Sequence, residues 1–213
     1  MIALIIQCDF DGTITKNNLS ILLKEQFACE KWRRIELDYL RGRVSVEQSN
    51  RLQYTLIEEP RERLQEFVRQ HIDVRPGFRE FVRYCQGNAI KFVIVSNGLD
   101  FYIETVLVEI GMPDLELYCG RTVFTKDGIG ISYTDPEGNT IDKGFKDKYL
   151  TWLKRSARNL IYIGDGLSDL EAARCADHVF ATGHLATLLR AESVAWSCFI
   201  DFYDLLSQMQ LSH

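Results

Sequence analysis

Three stretches of the chain, residues 2–8, 92–95 and 160–163, are almost continuously apolar. Runs of this length predict strands buried on both faces, as in a parallel sheet. Between the first two, the pattern changes to a helical period. Leu19, Leu22, Leu23 and Phe27 form one stripe, and Trp32, Ile35, Tyr39 and Leu40 form a second that Gly42 ends. Ser45 and Gln48 make a capping box that opens a third helix carrying Leu52 and Leu56. Pro60 suits the first turn of a fourth, with Leu64, Phe67, Val68 and Ile72 on its apolar face. A helical block of over fifty residues therefore follows the first strand directly.

After residue 75 strands and helices alternate. Pro76 opens a helix bearing Phe78, Phe81, Val82 and Cys85, closed by Gly87. Further helices are expected at 101–110, 145–153, 169–175 and 202–209, a short strand at 178–181, and a hairpin over 122–133 around Asp127 and Gly128. The alternation predicts an α/β fold, a doubly wound, mostly parallel, Rossmann-like sheet. Ligands of such sheets bind beyond the carboxyl ends of the strands. Here the three buried strands run into polar clusters: Asp9-Phe10-Asp11-Gly12-Thr13, Ser96-Asn97-Gly98 and Gly164-Asp165-Gly166-Leu167-Ser168-Asp169.

Each cluster can carry chemistry. Asp9 and Asp11, two apart as the chain leaves a strand, can face one mouth. One carboxylate can attack phosphorus and the other can move the leaving-group proton. Gly12 and Thr13 would let the backbone approach a phosphate. Ser96 supplies a hydroxyl, and Asn97, Gly98 and Gly166 supply N–H groups for a phosphate cradle. Asp165 and Asp169, four apart on an early helical turn, offer hard oxygens for Mg2+ together with Asp9 and a carbonyl of Asp11. Lys146 is the preferred phosphate cation, because Tyr149, Leu150 and Leu153 place it on the inward face of its helix. Lys143, which falls before that helix, is the second choice. Taken singly, each signal has a plain structural counterpart: a strand-end turn, an N-cap or a solvated lysine.

In this order, the three clusters together with Lys146 resemble the four motifs of the haloacid dehalogenase superfamily of phosphotransferases. The resemblance spans nearly the whole chain. It implies Asp9 as nucleophile, Asp11 as acid and base, Mg2+ as cofactor, and a C1-type cap at 17–74 set between core segments 1–16 and 75–213. Asp11 makes the chain similar to the hydrolytic phosphatases and phosphomutases rather than to the dehalogenases proper. Among the phosphatases, cap length and residues 41–49 resemble phosphoserine phosphatase. The substrate positions of that family fall here on Asn18 and Gln53, with Arg51 as a nearby cation, and a neutral pair cannot grip a zwitterion as charged residues do. Residues 9–15, 75–82 and 99–101 are similar to the methionine-salvage phosphatase of a methylthio-ketopentenyl phosphate. That branch is preferred, with phosphoserine phosphatase, a phosphomutase or phosphotransferase, and a non-catalytic binding protein on this scaffold as alternatives.

Composition adds bounds. The chain has 213 residues and a formal net charge of -5, which argues against nucleic acid or an anionic membrane as partner but not against a small phosphorylated metabolite. The six scattered cysteines lack a CxxC pair and read as buried, reduced thiols of a cytoplasmic protein. The four histidines lack metal-ligand spacing and read as structural or surface residues. A monomer or homodimer is expected.

Overall fold

The computed structural model describes residues 2–126 and 128–211. The elements run β1 (Ile2–Cys8), α1 (Leu19–Phe27), α2 (Lys31–Leu40), α3 (Val46–Tyr54), α4 (Arg61–Gln70), α5 (Phe78–Gly87), β2 (Lys91–Leu99), α6 (Asp100–Glu109), β3 (Leu117–Thr125), β4 (Gly128–Ser132), α7 (Phe145–Lys154), β5 (Ala157–Gly164), α8 (Leu170–Cys175), β6 (His178–Ala181), α9 (Gly183–Leu188), β7 (Trp196–Cys198) and α10 (Phe202–Leu211). One sheet takes the order β4-β3-β2-β1-β5-β6-β7, and every pair except β3–β4 is parallel. This is the doubly wound α/β sheet that the alternation predicts. The chain winds outward from β1 to β3, returns past it to β5, and continues to β7. Right-handed crossovers then require helices on both faces. Over β2, α5 packs with α10; over β5, α7 packs with α8.

The apolar runs are strands because both faces of each are covered. Ile5, Ile6, Val93, Ile94, Leu160 and Ile163 are all fully buried. Since β1 pairs with both β2 and β5, the tips of the three strands lie side by side.

Four details differ from the sequence reading. The second strand does not end at Val95: β2 continues through Ser96, Asn97 and Gly98, since these residues are themselves buried and keep the strand's extended backbone. Ser96 is therefore not an N-cap. The expected hairpin exists, but its first strand starts at Leu117 and joins the main sheet beside β2, so it is the sheet's edge rather than a free ribbon; Asp127 lies outside the described residues. Cys29, Cys175 and Cys198 are exposed, although all six cysteines are free thiols. Finally, α9 and β7 were not read from the sequence; both are short, and β7 carries no long apolar run.

The helical segment α1–α4 leaves and rejoins the sheet at one seam. Lys16 N–H donates to Asp73 O at 2.8 Å, Arg75 N–H donates to Ile14 O at 2.8 Å, and Thr15 pairs with Val74 in an antiparallel bridge. The capping box at Ser45 and Gln48 forms as expected. From this segment α3 leans on β4 and α4 leans on α6. No helix among the described residues is long and apolar enough to cross a membrane.

Candidate active site

A cavity of about 210 Å³ opens where the tips of β1, β2 and β5 meet α1, α2 and α3. Its floor holds Asp9, Asp11, Ser96, Lys146 and Asp165. Asp9 is fixed just past β1 by its N–H, which donates to Ile163 O of β5 at 2.9 Å. Its Oδ1 lies 2.8 Å from Lys146 Nζ. Lys146 enters on the first turn of α7 and is buried, as the inward stripe requires. The carboxamide of buried Gln7 on β1 donates to Lys146 O at 2.9 Å and ties this helix start to the strand.

The second carboxylate, Asp11, is held at both oxygens. Leu19 N–H donates to Oδ1 at 2.8 Å, and the Tyr102 hydroxyl donates to Oδ2 at 2.5 Å. Burial raises the Asp11 pKa, and the Tyr102 hydrogen bond opposes that rise. Gly98 is the residue that admits Tyr102, because a Cβ there would lie 2.3 Å from its hydroxyl.

One cation faces a cluster of acids. Burial would lower the Lys146 pKa, but the charges of Asp169 and Asp9 reverse this and raise it. Lys146 cannot neutralise all of its neighbours, so the Asp9 pKa is pushed well up by burial and by the charge of Asp169. Burial and Asp169 also raise Asp165, to about 7. Asp9, Asp165 and Asp169 each present a carboxylate oxygen, and these lie within 4.8 Å of one another. A buried surplus of negative charge built from hard oxygens fits a divalent cation such as Mg2+.

Within that cluster the roles divide by hydrogen bonding. Asp169 is fully buried and takes four donors: Lys146 Nζ at 2.6 Å and the Tyr162 hydroxyl at 2.6 Å on Oδ1, and the N–H groups of Asp165 at 3.0 Å and Gly166 at 2.7 Å on Oδ2. Its lone pairs are committed to the protein, which suits it to orienting Lys146 and the 164–166 turn. Asp165 accepts from Thr13 Oγ1 at 2.9 Å, and its second oxygen has no protein donor among the described residues.

Several expected phosphate groups are occupied. Thr13 holds Asp165, and the Gly166 N–H belongs to Asp169. Gly12 sits at φ +80°, where a Cβ would lie 2.3 Å from Asp165 Oδ2, so its glycine lets the β1 loop and that carboxylate approach. Asn97 lines the cavity, and its side-chain amide donates to Glu47 Oε1 at 3.2 Å, which leaves its backbone N–H out of that bond. The Gly98 N–H donates to Ser96 Oγ at 3.0 Å. Lys143, the second choice of cation, is exposed and does not line the cavity.

On the cap side Asn18 lines the cavity and caps α1, its Oδ1 accepting from Ile21 N–H at 2.9 Å. Gln53 and Arg51 do not line it. Arg51 turns away to Asp142 Oδ1 and Ile141 O, both at 2.5 Å, because it sits on the face of α3 that meets the loop before α7. Gln53 is fully buried behind the wall, where Oε1 accepts from Lys24 Nζ at 2.7 Å and Nε2 donates to Glu36 Oε2 at 2.7 Å.

The structure adds residues that the sequence reading missed. Lys24 and Glu36 line the cavity, as do Tyr39 and His184. Arg75 clasps the loop after β1, donating to Gly12 O at 2.6 Å and Thr13 O at 2.8 Å. Glu47 of α3 accepts the Phe145 N–H at 2.8 Å, capping α7 from across the seam. Arg75 had a signal, since it opens the 75–82 segment singled out by resemblance. Lys24 and Glu47 had none, because each looks like an ordinary charge on an amphipathic helix.

Residues 6–174 match the family model of the haloacid dehalogenase-like hydrolases. The chain belongs to that family. It is 30% identical over 211 residues to a 2-hydroxy-3-keto-5-methylthiopentenyl-1-phosphate phosphatase of Brevibacillus brevis, covering 97% of this chain and 95% of that protein. It is 32% identical over 212 residues to a phosphatase of the same name from Exiguobacterium sibiricum, covering 96% and 95%. Among solved structures, a phosphoserine phosphatase captured as a phospho-aspartyl intermediate analogue superposes with a TM-score of 0.72 at 17% identity, covering 98% of this chain and 99% of that one. At that identity the likeness is one of fold.

Proposed function

We propose that this hydrolase is a Mg2+-dependent phosphomonoesterase acting on a small metabolite, a methylthio-ketopentenyl phosphate of the kind named for its relatives. The observation that carries the reading is the juxtaposition at the cavity floor. Asp9 lies against Lys146 at 2.8 Å, and Asp11, two residues on, is held by Tyr102 and Leu19 beside the same opening.

In this reading the Asp9 carboxylate attacks phosphorus. The P–O bond to the leaving group breaks, and protonated Asp11 gives its proton to the departing oxygen. Asp11, now ionised, takes a proton from water as that water attacks the aspartyl-phosphate. Phosphate leaves and Asp9 is restored. Lys146 and Ser96 hold the phosphoryl oxygens. Asp9 and the open oxygen of Asp165 would hold Mg2+ with the Asp11 carbonyl, and the bound ion supplies positive charge against the phosphate dianion. Asp169 keeps Lys146 in place. Residues 17–74 act as the cap, with α1, α2 and α3 covering the reacting centre and restricting access to small molecules.

The cap wall supports the substrate choice. Ile21, Leu40 and Val46 offer an apolar patch for an alkylthio tail, while Asn18, Lys24 and Asn50 offer polar contacts. A zwitterionic leaving group such as that of phosphoserine is the second reading, favoured by one observation: Lys24 and Glu36 put opposite charges on the same wall. Phosphate release from a panel containing both esters, with and without EDTA, tests the proposal. Turnover that survives chelation or survives Asp9→Asn sinks the mechanism; preference for phosphoserine sinks the substrate.

A further inference from the structure

Lys24 is buried, on the cavity wall, and outside the catalytic roles assigned above. Its surroundings are built to hold it there. Nζ donates to Gln53 Oε1 at 2.7 Å, sits 3.7 Å from Glu36 Oε2, and lies 5.5 Å from the centre of the Trp32 ring. Gln53 is itself pinned, since its Nε2 is given to Glu36 Oε2. The three groups form a fixed clasp, with Lys24 and Glu36 on the wall and Gln53 behind it. An ammonium has three donors. Gln53 takes one, Glu36 at 3.7 Å takes another only loosely, and no further acceptor is present among the described residues. Burying a charge this deeply is costly unless a partner completes its shell. Lys24 lines the cavity together with Asn18, Ser20 and Ile21, and the Asp11 charge across that cavity also favours its ammonium, so the remaining donor can be met by a bound ligand.

We propose that Lys24 determines specificity by donating to the carbonyl oxygen of the leaving group, with Gln53 and Glu36 as the positioning pair behind it. The inference rests on the methylthio-ketopentenyl reading above, whose 3-keto oxygen is such an acceptor. The carbonyl of the leaving group then meets Lys24, and its tail meets Leu40 and Val46. It also gives the position read from the sequence as a substrate contact, Gln53, an indirect job: it aims the lysine rather than touching the substrate.

The test is a specificity ratio on the Mg2+-loaded full chain. The substrates are 2-hydroxy-3-keto-5-methylthiopentenyl-1-phosphate and phenyl phosphate, whose ring bears no acceptor. For Lys24→Met, kcat/KM for the keto substrate relative to phenyl phosphate is expected to fall by about tenfold or more, as for loss of one charged hydrogen bond. The change should lie mostly in KM, and Lys24→Arg should recover part of it. A ratio that stays constant, whether both activities fall or neither does, overturns the proposal, because a merely structural lysine moves both substrates together. Should Lys24→Met fail to fold, wild-type protein decides with an analogue carrying a methylene at C3. Its KM should rise by about tenfold on the same grounds, and an unchanged KM overturns the proposal. Wild-type kinetics separate the underlying readings. Turnover of phenyl phosphate without the keto substrate sinks the substrate reading and this inference with it. No turnover of either sinks the phosphatase reading.

Discussion

Lys146 Nζ lies 2.6 Å from Asp169 Oδ1, and both side chains are buried, so the cation of this site is set by an acid that takes no open place in the cavity wall. The same ammonium reaches Asp9 Oδ1 at 2.8 Å. Removing it leaves two carboxylates in the core without their counter-charge. Lys146→Met is therefore expected to destabilise the protein by about 3–5 kcal/mol, the range for breaking a buried ion pair from one side. Urea unfolding measures it. Lys143→Met, at an exposed position, should fall within about 0.5 kcal/mol of wild type.

Asp9→Asn should have the opposite effect on stability. Burial and the Asp169 charge make the Asp9 carboxylate costly to ionise, so a neutral amide relieves the fold while removing the proposed nucleophile. Phosphate release should drop by about a thousandfold or more, with a melting temperature at or above that of wild type. Residual turnover near wild-type level would move the nucleophile elsewhere.

The metal-free protein should be more stable in mild acid. Asp165 has its folded pKa raised to about 7 by burial and by Asp169, above an unfolded value of about 3.9. Its protonated form favours the fold. That contribution is complete below the unfolded value and is lost as pH rises through the folded one. In EDTA, melting temperature should be higher at pH 5.5 than at pH 8. Asp165→Asn should flatten the difference, and an equally steep profile in that variant would assign it to other groups.

Mg2+ should reverse that trend. A cation that binds the ionised cluster of the folded state stabilises it by about 2.7 kcal/mol at a hundred times its Kd. The melting temperature at pH 8 should rise with added Mg2+, and the rise should vanish in Asp165→Asn. This readout is independent of turnover.

Gly12→Ala should displace the loop it belongs to. The position has φ +80°, and the added carbon would lie 2.3 Å from Asp165 Oδ2. Strain and contact act together. Both Mg2+-induced stabilisation and phosphate release should fall, and a variant that keeps the two would show that the loop can move away at no cost.

The meeting of Asp9, Asp11 and Asp165 at one cavity was legible in the sequence because each follows an apolar run, and a run of that kind has few ways to be buried. Lys146 was legible from Tyr149, Leu150 and Leu153, which fix the inward face of its helix. The helical block was legible from its stripes and from the capping box at Ser45. What was not legible depends on contacts between distant segments. Tyr102 reaches Asp11 across 91 residues and Glu47 reaches Phe145 across 98. Ser96 to Gly98 read as a turn by composition, yet they extend β2, because burial beside β1 overrides the preference of small polar residues for loops. Gln53 and Arg51 sit close to Lys24 and Tyr133, but a helix can aim them to the wall, behind it or away from it, and sequence spacing does not distinguish these.

The seam at Thr15 and Val74 has an evolutionary corollary. Where a segment departs and returns through neighbouring residues, its internal length is free of the scaffold's geometry. Helices could be gained, shortened or exchanged there while the reacting groups stay in register, and new specificities could arise by grafting between the two stitches rather than by rebuilding what lies beneath.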